Sequence, residues 1–321
     1  MSEPRICIVG AGSLSTKRIY PNVGAAGAQL VGVCDLDAEK AERNARRWGG
    51  AVYADMEEMI DSEKPDGVII CIGPEAHAEL APVVMRKGIP VYTEKPPAAT
   101  AAAALEVARV SKETGVLCTT AFKKRYNRAY SRAKEFIDGF GPDERLALSV
   151  DYCSAEYESG RFLLDFAIHM IDLVGHLFGD AEEVFAFAKG PHAYAVSLRF
   201  ACGAVGSMCL NDGRSFGIPT EEVEITLRGG NFMSVHNSAR WRIAEDGKCT
   251  EWREPPTFTS AGDDGHDTGH LAELVDFVGA VAEGRSTRSS IFESYRSMVL
   301  YEAIERSAGT GEVVRPVYEE V

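Results

Sequence analysis

Residues 5–15 read Arg-Ile-Cys-Ile-Val-Gly-Ala-Gly-Ser-Leu-Ser: a short strand pattern, Arg5–Val9 with four apolar residues in a row, stops at Gly10-Ala11-Gly12, and a helix pattern starts at Ser13. A strand that turns this tightly into a helix presents bare backbone N–H groups, and small residues there let a pyrophosphate approach. On that reading Gly10, Gly12, Ser13 and Leu14 are candidate cofactor contacts. Ser15 stands where a third glycine would allow close helix–strand packing. A tight turn without a ligand is the competing reading of the pattern alone.

The context outside the turn favours the ligand. A second apolar run, Gln29–Cys34, ends at Asp35, 23 residues after Gly12. An acid at that place accepts hydrogen bonds from both ribose hydroxyls and repels a 2′-phosphate. Leu36 and Asp37 follow it, with no adjacent Arg or Lys, which favours NAD over NADP. Its competing role is a turn or capping acid.

Further along, short apolar runs alternate with helical patterns: strands at Ala51–Tyr53, Gly67–Ile72, Val91–Thr93 and Val116–Thr120, helices at Ser13–Val23, Ala38–Arg47, Met56–Asp61, Glu75–Arg86 and Ala101–Glu113. Asp37 and Asp55 are placed to cap two of these helices, and Gly88 to stop a third. Short, wholly apolar strands separated by helices predict a doubly wound parallel sheet covered on both faces. The second half changes character. After a basic helix at Asn127–Ile137, strand patterns recur at Leu146–Tyr152, Val184–Ala188, Ala193–Phe200, Ala204–Leu210, Val223–Arg228, Phe232–His236 and Trp241–Ala244. Glycine turns join several of them, which predicts an open, mainly antiparallel sheet, and helices at Leu271–Glu283 and Phe292–Ser307 close the chain. The expected division is 1–120 and 121–321, with the polar stretch Gly262–Gly269 as the expected mobile loop.

Composition narrows the partners. The 321 residues carry 34 Lys plus Arg against 48 Asp plus Glu, a formal charge of −14. That sign disfavours phosphate backbones and anionic membranes but leaves small ligands open. The start of the chain reads as no export signal, and the longest apolar stretch, Phe162–Phe178, contains four ionisable residues that a bilayer span would not carry. Eight cysteines lack any CxxC spacing, and Cys7, Cys34, Cys71 and Cys118 sit in apolar runs as small buried hydrophobes. A reduced, cytoplasmic protein is expected.

Two further patterns carry chemistry. In a helix over Phe162–Phe178, Asp165, His169, Asp172 and His176 fall within an arc of about 60°. Such a narrow ionisable stripe on an apolar helix faces a cleft, a metal, or a buried polar network. The four residues extend over about 17 Å of helix, too far for one ion to bind them all, and no metal is assigned. The second pattern is Glu94-Lys95-Pro96-Pro97, directly after a strand. The carboxyl end of such a strand is where ligands bind, and Pro96 excludes helix at Lys95, so the lysine is aimed by a rigid turn.

Taken in order, these motifs resemble the Gfo/Idh/MocA family of glucose–fructose oxidoreductase and inositol dehydrogenase. The resemblance covers nearly the whole chain: the opening glycine turn, Gly73-Pro74-Glu75-Ala76-His77, Glu94-Lys95-Pro96, Arg125-Tyr126, Asp165-x-x-x-His169-x-x-Asp172, and the closing helix Tyr301–Ser307. It implies an N-terminal Rossmann domain and a C-terminal α+β domain whose open sheet carries the substrate pocket and a homodimer or homotetramer contact. It also implies hydride transfer between nicotinamide and a secondary alcohol of a sugar, cyclitol or related small polar molecule. The roles it implies are Lys95 polarising the reacting hydroxyl, His169 as general acid/base, and Asp165 and Asp172 orienting it and holding substrate. Ile72, Gly73, Pro74, His77, Glu94 and Lys95 join the implied cofactor contacts, although Gly73 and Glu75 depart from the family's Thr and Asn. His176 has no counterpart there. A catalytically silent NAD-binding regulator and a glycosidase that recycles bound NAD are the other readings.

Overall fold

The computed structural model describes residues 3–156, 160–254 and 268–321. The chain forms two compact units, one of residues 1–123, 269–295 and 321, the other of residues 124–268 and 296–320. The chain thus returns to its first unit late, over Gly269–Tyr295.

In the first unit six strands, β1 (Arg5–Val9), β2 (Gln29–Cys34), β3 (Ala51–Tyr53), β4 (Gly67–Ile70), β5 (Val91–Thr93) and β6 (Cys118–Thr120), pair in the order β3-β2-β1-β4-β5-β6. Every pairing is parallel. Strand order therefore reverses between β1 and β4, and the crevice outside their carboxyl ends is where an open α/β sheet binds its ligand. The helices are α1 (Ala38–Trp48), α2 (Met56–Glu63), α3 (Pro74–Arg86) and α4 (Ala101–Thr114). As expected, Asp37 and Asp55 cap α1 and α2 by accepting from the N–H of Lys40 and Glu58. One face of the sheet packs Cys7, Val9, Val68 and Ile70 against Met59, Val84 and Val107. The other packs Ile6, Ile8, Ile69 and Tyr92 against Ile19, Tyr20, Leu274 and Phe277, the last two supplied by the returning segment.

The helix expected at Ser13–Val23 is broken into a π-helical turn, Ser15–Ile19, and a 3₁₀ turn, Tyr20–Asn22. Pro21 lacks the N–H that would continue the ladder.

The second unit holds α5 (Arg128–Asp138) and α6 (Ile168–Phe178), whose N-terminus is preceded by a second π-helical turn at Leu163–Ala167. Its sheet has eight strands, β7 (Arg145–Ala155), β8 (Ala181–Lys189), β9 (Ala193–Phe200), β10 (Val205–Arg214), β11 (Thr220–Leu227), β12 (Asn231–His236), β13 (Arg240–Glu245) and β14 (Lys248–Arg253). Their order is β14-β13-β12-β11-β7-β10-β9-β8, with β7 and β10 parallel and every other pair antiparallel. The strands alternate: Val196, Leu198, Met208, Leu210, Val223 and Ile225 are buried, while Ser197, Ser207, Cys209, Glu222 and Glu224 are not. The last helices are α7 (His270–Glu283), in the first unit, and α8 (Ile291–Thr310), within which the division between units falls. Residues 262–267 of the expected mobile loop lie outside the described residues. Among the described residues no helix is long and apolar enough to cross a membrane. All eight cysteines are free thiols; Cys7, Cys34 and Cys118 are buried as expected, and Cys71 is half-buried.

Candidate active site

The glycine turn is built by contact with β4. Gly10 has φ +101°, and a Cβ there would lie 2.2 Å from the Cys71 carbonyl oxygen, so only glycine fits. Gly12 differs: a Cβ on it would meet nothing within 4 Å. It faces open space, which is what an approaching pyrophosphate requires. Ser15 is buried and its hydroxyl donates to the Gly12 carbonyl at 3.2 Å, closing the start of the helix.

Asp35 is engaged with this turn. Its Oδ2 accepts from the Ala11 N–H at 2.6 Å and its Oδ1 from the Asp37 N–H at 2.8 Å. The carboxylate that would meet a ribose therefore also braces the glycine turn against the end of β2.

The turn after β4 carries Ile72, Gly73 and Pro74, with Gly73 as N-cap and Pro74 in the first turn of α3, where its missing N–H costs nothing. His77, three residues into that helix, is buried and spends both ring nitrogens inside the protein. Nδ1 lies 2.9 Å from the Pro96 carbonyl and must donate to it; Nε2 accepts from the Ile72 N–H at 3.2 Å. Burial pushes its pKa down to about 4. The ring is a neutral brace between the Ile72–Pro74 turn and the turn that carries Lys95.

That second turn follows β5. Glu94 is buried, its backbone N–H bonds the Ile70 carbonyl, and its Oε2 accepts from the Lys95 N–H at 3.1 Å. The Lys95–Pro96 peptide is cis, and the Lys95 side chain is half-buried. The carboxyl ends of β1, β4 and β5 thus bring Gly10, Gly12, Ile72, Gly73, Pro74 and Lys95 to one edge of the sheet.

In the second unit the ionisable stripe splits. Asp165 lies on the π-helical turn, 3.6 Å from the Arg161 guanidinium, and is 13% exposed. His169 is buried in the first turn of α6, and His176 is half-buried one turn beyond Asp172. Asp172 goes elsewhere: it is fully buried and grips Arg125, with Nε at 3.2 and 3.0 Å and Nη2 at 2.8 Å, while Ser297 donates to it at 2.7 Å. Asp172 thus sits in a buried polar network, its oxygens engaged by a guanidinium fork and the Ser297 hydroxyl. Among the described residues no group of three or more His, Cys, Asp or Glu is arranged to hold a metal ion.

Other buried groups gave weaker signs in the chain. Lys124, in the basic run Lys123-Lys124-Arg125, forms an ion pair with Glu221, which also accepts from Tyr130 at 2.5 Å and from Ser238. Burial pushes the Glu221 carboxyl up, but Lys124 and the hydroxyls more than reverse this and hold it below its ordinary value. Glu273 on α7 is buried as well and had no motif to mark it.

Two family models divide the chain between them. Residues 4–122 match an oxidoreductase family's NAD-binding Rossmann fold, and residues 154–316 match the same family's C-terminal alpha/beta domain. The chain belongs to the Gfo/Idh/MocA oxidoreductase family. It is 25% identical to the inositol 2-dehydrogenase of Azotobacter vinelandii, over 96% of this chain and 94% of that one. It is 26% identical to the D-glucoside 3-dehydrogenase of Escherichia coli, over 64% and 62% of the two chains. Among solved structures, an Agrobacterium radiobacter oxidoreductase crystallised with NAD+, L-tartaric acid and magnesium shares the fold, with TM-score 0.87, 17% identity and 98% of each chain covered. The Rossmann unit of this family member fits its cofactor: the open face of Gly12 leaves room for the pyrophosphate, and Asp35 stands at the end of β2.

Proposed function

We propose that this family member is an NAD-dependent dehydrogenase of a secondary alcohol on a sugar, cyclitol or related polyol. The observation that carries the reading is the rigid turn that sets Lys95 at the carboxyl end of β5, on the same sheet edge as the open glycine turn. The named activities of the inositol and glucoside dehydrogenase relatives support the substrate class.

Backbone groups of Gly10, Gly12, Ser13 and Leu14 hold the pyrophosphate, and Asp35 takes the ribose hydroxyls and disfavours NADP. Ile72, Gly73 and Pro74 flank the cofactor, while His77 and Glu94 shape the turns around it. When bound, the nicotinamide supplies the hydride acceptor. Hydride leaves the carbinol carbon as the hydroxyl proton passes to His169, and a ketone results. The Lys95 ammonium donates to the oxygen and stabilises the charge that builds on it in the transition state. Asp165 steadies His169, and Asp172 acts through Arg125 to hold the helix that carries both. The open sheet face, with exposed Phe187 beside Ser197 and Ser207, is assigned to a homodimer or homotetramer contact. Eight free thiols fit a reducing, cytoplasmic setting.

The test is a panel of polyols and sugars with NAD, followed by the absorbance of reduced nicotinamide. Lys95→Ala and His169→Ala are each expected to lose about 10²–10⁴ in turnover while still binding NAD. Tight NAD binding with silence across the panel would replace this reading with a regulator.

A further inference from the structure

One buried acid has no place in that mechanism. Glu273 lies in the first turn of α7, is 1% exposed, and neither carboxyl oxygen has a hydrogen-bond partner among the described residues. The buried Tyr92 hydroxyl lies alongside it, also outside hydrogen-bonding geometry. Glu94, itself buried, adds like-charge repulsion. The groups facing this cluster are Tyr92 and Glu94 from β5 and its end, Cys71 from the end of β4, Lys123 after β6, and Lys95.

A buried carboxylate with no donor in bonding geometry is unstable in such a place, and two like charges cannot both persist there. We propose that Glu94 and Glu273 hold one proton between them behind Lys95, so that the lysine faces a single negative charge across the neutral range. The proton resides mainly on Glu273. Glu94 has the Lys95 N–H and the charges of Lys95 and Lys123 to favour its ionised form, while Glu273 has the nearby Tyr92 hydroxyl and Lys123 set against the repulsion of Glu94. Burial raises both carboxyls, Glu273 the further of the two because Glu94 adds to it. The pair titrates as a unit, and its fixed charge sets the pH at which Lys95 gives up its own proton. This deepens the dehydrogenase reading and rests on it for the role of Lys95, but not for the proton itself.

Infrared difference spectra between the full-length wild type and Glu273→Gln test the proton directly, without cofactor or substrate. The wild type is expected to show the carbonyl stretch of a protonated carboxyl at neutral pH, lost in Glu273→Gln. Its absence from the wild type, or its survival in that variant, would overturn the proposal. The pH profile of kcat/KM then tests the charge. Glu94→Gln removes the anion beside Lys95 and is expected to move the alkaline limb down by about one pH unit. Glu273→Gln removes only a neutral acid, so its limb stays at the wild-type pH whatever its height. Equal shifts in both variants would mean two charges in the wild type and end the one-proton pair. A limb that survives in Lys95→Ala would instead refute the role of Lys95 and leave the infrared result standing.

Discussion

Gly10 and Gly12 sit two residues apart in one turn and answer to different demands. Gly10 is required by the protein itself, through its positive φ and the Cys71 carbonyl 2.2 Å from where a Cβ would be. Gly10→Ala is therefore expected to cost more than about 2 kcal/mol of folding stability, read from the denaturant midpoint. Gly12 has empty space around it, so Gly12→Ala should leave that midpoint within about 0.5 kcal/mol of wild type and weaken NAD binding by titration. A stability loss in Gly12→Ala as large as in Gly10→Ala would refute this division. Asp35 combines the two demands, since the carboxylate proposed for the ribose also holds the Ala11 N–H. Asp35→Ala is expected to relax the preference for NAD over NADP and to loosen the turn as well; unchanged discrimination would remove Asp35 from the ribose site.

At the scale of elements, the helix with the ionisable stripe shows what local patterning conveys and what it omits. Periodicity placed Asp165, His169, Asp172 and His176 on one side of an unbroken helix. The structure opens that helix into a π turn at Leu163–Ala167, a form frequent at functional sites, and it has the same feature at Ser15–Ile19 behind the glycine turn. Neither is visible in the chain, because apolar spacing is nearly the same for an α and a π turn over five residues. Nor was the partner of Asp172, which lies 47 residues away at Arg125 and 125 away at Ser297. Asp172→Asn should cost about 3–5 kcal/mol, because it leaves a buried guanidinium without its counter-charge. If Asp172 served the substrate alone, the variant would lose turnover and keep its denaturation midpoint. Strand β14, unmarked by a strong apolar alternation, pairs with β13 all the same, since tertiary pairing overrides weak propensity.

For the molecule as a whole, buried titrating groups link stability to pH. His77 is neutral when folded, with a pKa near 4 against an ordinary 6.5. The unfolded chain therefore takes up the proton first as pH falls. The contribution of His77 is complete above pH 6.5 and is lost between there and pH 4, up to about 3 kcal/mol. Glu221, held below its ordinary value by Lys124 after burial is overcome, loses its contribution as pH falls through its folded value. Glu273 works in the opposite sense, because its raised carboxyl favours the folded state in acid and opposes it above 4.5, where the unfolded chain ionises. Between pH 7 and pH 4 the denaturant midpoint should lose more, or gain less, toward acid in the wild type than in His77→Gln, whose amide can bond Pro96 and Ile72 without titrating. An equal slope in the two proteins would refute the assignment to His77.

From its own spacing the sequence determined the parallel and antiparallel halves, most element positions and the caps at Asp37 and Asp55. Each of these depends on side-chain period or turn chemistry within a few residues. Only the tertiary structure decided that Gly269–Tyr295 returns to the first unit, that Asp172 grips Arg125, that His77 braces the Lys95 turn, and that Glu273 is buried near Glu94. These pairings join residues tens to hundreds of positions apart. Burial and charge, which set their chemistry, arise from packing that no local window of sequence contains.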